Sequence, residues 1–160
     1  MISPQELSKA FARNVMILKM QTEGLTHEDS LRQLPFNGNC LNWVLGHIAT
    51  YRDQILKMLG ESPVREAQGL RYQTDSDPLK EADEYTVPLE ELLAWIDRTQ
   101  ERLATALIRI DEATLSQEIT RGKRKTTVSK QLFFGYFHES YHVGQTELFR
   151  QLAGKNDKVI

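Results

Sequence analysis

Three histidines are the residues of this sequence whose type and spacing predict chemistry. His138 and His142 stand four residues apart, so on an α-helix they lie one turn apart on one face, within about 40° of each other. Imidazole nitrogens at this spacing can converge on one metal ion. His47 belongs to a separate apolar segment, where Val44 and Tyr51 share its predicted helical face. Three histidines from two helices therefore predict a metal site with open positions for water or substrate.

Four residues beside these histidines are candidates for supporting roles. Tyr141 and Gln145 are placed to hydrogen-bond a ligand imidazole or a bound water, although ordinary packing at the edge of the core explains them equally well. Tyr51 and Glu139 are further candidates for contacts that orient the histidines. No residue stands out as a catalytic acid or base, so the catalytic residues are unassigned.

The surroundings of the histidine pair predict its orientation. Phe134, Tyr141 and Phe149 lie on the same half of the helix, so we expect the pair to face the interior of the fold. Gly144, in the middle of this helix, costs about 1 kcal/mol relative to alanine, which favours the close approach of a neighbouring helix there. The fourth histidine, His27, lies in a polar stretch and is expected at the surface.

The segment that begins at His138 also matches the H-E-x-x-H pattern of zinc metalloproteases, in which Glu139 would act as the general base. Such proteases take a third ligand some way downstream. Glu147 is five positions beyond His142 and points to the opposite side of the helix, and no strand pattern is present to hold a peptide. The sequence therefore argues against a metalloprotease.

The elements that would position these residues are helices, because apolar residues recur at spacings of three and four. The predicted helices cover 4–25, 40–59, 88–110 and 128–153. A short helical turn is expected within 26–34, and connections are expected at 61–87 and 111–127. The second connection contains a basic run at 121–125, which a solvated loop explains better than a nucleic-acid contact, given the acidic overall balance.

Four amphipathic helices of similar length around one core predict an all-α fold, a four-helix bundle formed by a single domain over residues 1–160. The long connection between the second and third helices allows them to run parallel, which favours an up-down-down-up arrangement. We expect a connection of this length to carry functional residues or to cross the whole bundle.

Composition limits the classes of partner. The chain is 40% hydrophobic and 26% charged with a net charge of -2, which is globular and disfavours nucleic acid or anionic lipid as a partner. Cys40, the single cysteine, cannot form an internal disulfide and lies too far from His47 to share a metal ion. Neither a secretory signal nor an apolar stretch of about 18 residues is visible. We expect a cytoplasmic protein that acts on a small molecule without a membrane or nucleic-acid partner.

Two motifs give the sequence a family resemblance. They are Trp43-x-x-Gly46-His47 and, far downstream, His138-x-x-x-His142-x-Gly144-Gln145. In order and separation they resemble the DinB/YfiT family of small bacterial metal-binding bundles, and the resemblance covers nearly the whole chain. It implies a DinB-type four-helix bundle in which His47, His138 and His142 are the metal ligands.

The resemblance implies a metal-dependent enzyme, with thiol-dependent S-transfer and a low-molecular-weight thiol as co-substrate as the leading expectation. Two alternatives are a hydrolase that uses a metal-bound water and a metal- or ligand-binding bundle without turnover. Neutral imidazoles suit zinc or nickel, which we favour, as well as iron or copper, whereas calcium and magnesium prefer oxygen ligands. Family resemblance and the prevalence of two-fold dimers also favour a homodimer.

Overall fold

The computed structural model describes residues 2–65 and 71–159. The elements are α1 (Pro4–Thr22), α2 (His27–Ser30), α3 (Leu41–Met58), α4 (Leu89–Arg109), α5 (Glu112–Ser116), β1 (Glu118–Arg121), β2 (Arg124–Thr127) and α6 (Val128–Leu152). The four long helices α1, α3, α4 and α6 correspond to the four predicted helices and pack as a bundle. Over the described ranges, none of the helices combines the length and apolar character that a membrane crossing requires.

The limits of α1 follow from local chemistry. Ser3 caps its N-terminus in a capping box with Glu6, and Pro4 occupies the first turn, where its missing N–H is harmless. The helix ends at Thr22, slightly earlier than predicted, because Gly24 adopts a positive φ of 72° that takes the backbone out of the helix.

Side-chain hydrogen bonds show that α1 and α6 run parallel. Asn14 donates to Glu139 in the middle of both helices, and further along both, the guanidinium of Arg150 donates to the carbonyl oxygen of Gln21. Such parallel neighbours need a long path between them, which the rest of the chain supplies.

The helices α3 and α4 also run parallel. The amide of Asn42, in the first turn of α3, donates to the carbonyl oxygen of Val87 just before α4. Further along both helices, the indole of Trp95 donates to Asp53 at 2.8 Å.

The helices α3 and α6 run antiparallel. Tyr51 accepts a hydrogen bond from Gln131 near the start of α6, whereas His47, one turn earlier in α3, meets His138 further along α6. Together with the two parallel pairs, this gives the up-down-down-up arrangement, so the predicted bundle and its topology are confirmed.

The second connection differs from its prediction as a loop. It contains α5 and an antiparallel hairpin in which Glu118 pairs with Thr127 and Arg121 pairs with Arg124. Gly122, at a φ of 60°, supplies the left-handed backbone that a two-residue hairpin turn requires. The strands are short and almost entirely polar, so no alternation of apolar and polar residues marks them in the sequence.

At Gly135 the helices α3 and α6 are in tight contact. A Cβ added there would stand 2.8 Å from the Cδ1 atom of Ile55, whereas a Cβ added at Gly144 would meet no atom within 4 Å. The prediction of close packing at Gly144 is therefore wrong. The two helices that carry the histidines approach each other one heptad before His142 instead.

Candidate metal centre

The antiparallel packing of α3 and α6 brings the three predicted histidines together. The Nε2 atom of His138 lies 3.4 Å from Nε2 of His47 and 3.2 Å from Nε2 of His142. All three candidate ligand atoms lie within 4.8 Å of one another. Two nitrogens bound to one ion at 2.0–2.1 Å stand about 3.0–3.4 Å apart. The two separations from His138 and the donor type fit a single transition-metal ion, so the cluster could bind one.

Hydrogen bonds fix which nitrogen two of these imidazoles present. The Nδ1–H of His47 donates to the carbonyl oxygen of Tyr72 at 2.8 Å, and the Nδ1–H of His142 donates to Oε1 of Gln145 at 2.8 Å. In a neutral imidazole the other nitrogen then carries the lone pair. Both rings therefore direct an Nε2 lone pair at the centre of the cluster, which is the usual arrangement of metal-binding histidines.

Burial keeps these imidazoles in the neutral form. Loss of hydration, reinforced by the neighbouring His142 and His47, lowers the pKa of His138 to about 4. Burial also lowers the pKa of His47, against the opposing effect of its hydrogen bond to Tyr72, and it lowers the pKa of His142. Neutral imidazole is the form that binds metals, so the cluster is ready to bind at neutral pH.

Aromatic rings pack against two of the imidazoles, those of His47 and His138. The indole of Trp43 stacks on His47 with ring centroids 4.8 Å apart and planes only 10° from parallel. The ring of Tyr51 lies 4.6 Å from that of His138, and its hydroxyl accepts a hydrogen bond from Gln131 at 2.9 Å. These contacts restrict rotation of both imidazoles and so preorganise the cluster.

The histidine pair faces the interior only in part. Phe149 is buried, but Phe134 is 48% exposed and Tyr141 is 60% exposed. His138 and His142 are themselves only partly buried, at the edge of the bundle between α3 and α6. The cluster therefore lies at the edge of the bundle, with His47 buried and the other two histidines partly exposed to solvent.

The four candidate supporting residues have different positions. Gln145 accepts the hydrogen bond from His142, and Tyr51 packs on the imidazole of His138. Tyr141 stands edge-on to His142 at a centroid distance of 5.4 Å, on the exposed side. Glu139 points away from the cluster into the bundle, where it is 3% exposed.

Glu139 forms a buried ion pair with Arg52. Its two oxygens accept hydrogen bonds from Nε and Nη2 of Arg52, both at 2.7 Å, and Oε1 accepts another from Asn14. Sequence reasoning did not identify Arg52, although its spacing of four from both Ile48 and Leu56 places it on the apolar stripe of α3. A charge on such a stripe needs a buried partner, which was the available signal.

Tyr72 is a second residue of the site that sequence reasoning did not identify. The first connection was expected to carry functional residues or to cross the whole bundle, but its polar composition singled out no residue. Tyr72 is fully buried, and its carbonyl oxygen is the hydrogen-bond partner of His47. A backbone contact leaves no mark on residue type, so the sequence offered no signal for it.

The cluster consists of histidines alone. Among the described residues, no cysteine, aspartate or glutamate joins His47, His138 and His142 within ligand distance of one another. Cys40 is fully buried, and burial raises the pKa of its thiol. The chemistry of the donors is therefore that of neutral nitrogen.

Comparisons with known proteins concern the family and the fold of the chain. The family described as the DinB superfamily matches residues 10–146. A crystal structure titled as that of a conserved protein of locus from Enterococcus faecalis has the same fold, with a TM-score of 0.74 and 18% identity over 96% of this chain and 98% of that chain. No curated protein matches the chain significantly. With a family match over most of its length and a bundle of the expected type, the chain belongs to the DinB superfamily.

Proposed function

We propose that the protein is a metal-dependent enzyme in which His47, His138 and His142 bind one divalent transition-metal ion, zinc or nickel before iron or copper. The observation that carries the proposal is the convergence of the three Nε2 atoms, at 3.4 and 3.2 Å from the central one. Three nitrogen ligands leave further coordination positions for a substrate. When bound, such an ion lowers the pKa of a coordinated thiol or water and so supplies a nucleophile near neutral pH.

A low-molecular-weight thiol is the nucleophile that the site supports best. The carboxylate nearest in sequence to the ligands, that of Glu139, is engaged by Arg52 and is not placed to act as a general base. A free thiol has a pKa of about 8.5 against 15.7 for water, so a thiol needs far less activation. Cys40 is buried, so the thiol would be a co-substrate rather than a side chain of the protein.

The proposed reaction is the transfer of this thiol to an electrophilic carbon. The thiol sulfur forms a bond to the carbon, the leaving group departs with its bonding electron pair, and the thiol proton passes to solvent. The side chains of the cluster orient the reactants. Phe134, which stacks on His138 at 6.0 Å, and Tyr141 flank the open side and offer apolar surface to the electrophile.

An activity panel tests the proposal. Zinc-loaded and nickel-loaded protein would be assayed with low-molecular-weight thiols plus an aryl halide, and separately with aryl esters and amides. We expect thioether formation that His142→Ala abolishes and that His27→Ala, a change at the histidine outside the cluster, leaves intact. Ester or amide hydrolysis without thioether formation would instead identify a hydrolase, and metal binding without either activity would identify a binding protein.

We further propose that the enzyme is a cytoplasmic homodimer. The single cysteine and slightly acidic balance support the compartment, and the prevalence of two-fold dimers supports the assembly. Light scattering at micromolar concentration is the test, and a monomer mass would contradict the proposed dimer.

A further inference from the structure

The first connection is built into the histidine cluster through Tyr72. The carbonyl oxygen of Tyr72 accepts the Nδ1–H hydrogen bond of His47, and its aromatic ring fills the space beside Gly46. A Cβ added at Gly46 would overlap that ring, so glycine is required for the ring to be seated where it is. Gly46 therefore provides the notch in which the ring of Tyr72 lies. His47, the next residue, hydrogen-bonds to the backbone carbonyl oxygen of Tyr72.

The hydroxyl of Tyr72 anchors the other end of the ring. It donates to Oδ1 of Asn42 at 3.0 Å and accepts from the backbone N–H of Val87 at 2.8 Å. The amide of Asn42 also donates to the carbonyl oxygen of Val87 at 2.9 Å. All three residues are almost completely buried, so these hydrogen bonds are protected from water and a lost partner would be costly.

Trp43 supplies a second anchor for the same segment. Its indole N–H donates to Oγ of Ser76 at 2.9 Å, and that hydroxyl donates to the carbonyl oxygen of Arg71 at 3.0 Å. The N–H bond lies in the plane of the indole, so it leaves a face of the ring to stack on His47. Four residues near the start of α3 thus contact the first connection. They are Asn42, Trp43, Gly46 and His47.

We propose that Tyr72 is a positioning residue for metal binding. Asn42, Trp43, Gly46 and His47 form a docking motif that holds Tyr72 and its segment in place. Docking of Tyr72 holds the imidazole of His47 in one tautomer and one orientation, with Nε2 toward His138. The inference rests on the proposed metal site and assigns to the first connection the role of completing it. Outer partners of ligand histidines typically contribute about 10–100-fold in metal affinity.

Gly46→Ala is the main test, because the new Cβ displaces the Tyr72 ring and with it the carbonyl oxygen. In competition with a chromophoric chelator, we expect its affinity for zinc ion to fall by about 10–100-fold. Tyr72→Phe keeps the ring and removes the anchoring hydroxyl, so it should lower zinc affinity in the same direction by less. Nitrogen-15 NMR of the metal-free protein should show that His47 loses its single Nδ1–H tautomer in the Gly46→Ala protein.

Leu79→Ala is the matched control for a purely structural effect. Leu79 is fully buried in the same connection and in the same apolar cluster as Tyr72, but it is not one of the residues of the docking motif. This variant should lower the melting temperature while its zinc affinity stays within about twofold of wild type, since only the contact to His47 matters for binding. All affinities would be measured well below each melting temperature.

The outcomes separate the two proposals. Folded Gly46→Ala protein with wild-type zinc affinity and an unchanged His47 tautomer would overturn the positioning role. If Gly46→Ala does not fold, wild-type affinity and an unchanged tautomer in Tyr72→Phe would overturn it equally. If the wild-type protein binds neither zinc nor nickel, the metal site fails, whereas the NMR comparison still decides whether Tyr72 orients His47.

Discussion

The guanidinium of Arg52 and the carboxylate of Glu139 form a two-pronged ion pair in the middle of the bundle, with both N–O distances at 2.7 Å. Their side chains are 0% and 4% exposed. Because Glu139 follows His138 directly and Arg52 follows Tyr51, the pair joins α3 to α6 next to the histidine cluster. It also explains why a glutamate within an H-E-x-x-H segment takes no part in the cluster.

Removal of the arginine should destabilise the protein strongly. In Arg52→Met, Glu139 keeps Asn14 but loses its charged partner, and a buried pair broken in this way typically costs about 3–5 kcal/mol. Urea denaturation would measure the free energy of unfolding. Lys125→Met, which breaks an exposed pair with Glu118, is the control and should cost at most about 1 kcal/mol. Similar values for the two variants would contradict the role of burial.

Removal of one imidazole should abolish tight metal binding without unfolding the chain. His47→Ala leaves two ligands, so zinc affinity should fall by orders of magnitude, while the apolar core remains and the direct cost to stability is about 0.5–3 kcal/mol. Calorimetric titration and circular dichroism would measure the two effects. His27→Ala, at the histidine outside the cluster, should bind zinc like wild type. Equal affinity in both variants would show that His47 is not a ligand.

The bound element should be a transition metal. Three neutral imidazoles suit zinc, nickel, iron and copper, and they discriminate against hard cations that prefer oxygen. Elemental analysis of protein purified without a histidine tag is the measurement, and we expect zinc or nickel near one ion per chain. Protein that carries only calcium or magnesium would contradict the donor chemistry described above.

The sequence allowed prediction of the helices and of the cluster, but not of the orientation of α6. Helical periodicity and the four-residue spacing of His138 and His142 depend only on local geometry, so both were available. The α6 helix carries apolar residues on opposite faces, with Leu132 buried and Phe137 61% exposed. An apolar pattern on both faces does not indicate which face is inside, and the predicted inward orientation of the histidine pair therefore holds only in part.

Contacts between distant segments could not be predicted for a different reason. Tyr72 meets His47 through its backbone carbonyl, which every residue type possesses, and the notch at Gly46 has meaning only once the ring beside it is known. The charge of Arg52 on an apolar stripe was visible, but its partner 87 positions away was not. Periodicity reports the face of a helix, and the partner of that face is set by the tertiary fold.

The stability of the metal-free protein should fall between pH 7 and pH 5. Burial lowers the pKa of His138 to about 4 from an ordinary value of 6.5, so below pH 6.5 the unfolded chain binds a proton that the folded chain does not. Stability therefore decreases as the pH falls through this window, with His47 and His142 acting in the same direction. Urea midpoints at the two pH values would measure the loss.

His138→Gln supplies the control for this pH dependence, because glutamine does not titrate. The variant should lose less stability between pH 7 and pH 5 than the wild-type protein. Carboxylates such as Asp83, whose pKa is lowered, stay ionised in the folded state over this range and contribute mainly at lower pH. A wild-type midpoint that is constant or rises on acidification would contradict the neutral, buried state of the cluster.

Removal of the metal should lower the melting temperature and leave the fold intact. The buried clusters around Trp95 and around Phe11 supply an apolar core that does not include the histidine nitrogens, so the metal-free chain should keep its helical circular dichroism. A ligand that binds only the folded state stabilises it, by about 2.7 kcal/mol when its free concentration is 100 times its dissociation constant. Thermal melts with a chelator and with added zinc would measure the difference. Unfolding by the chelator at room temperature would instead make the ion a structural one, and the proposal of an open catalytic site would lose its main support.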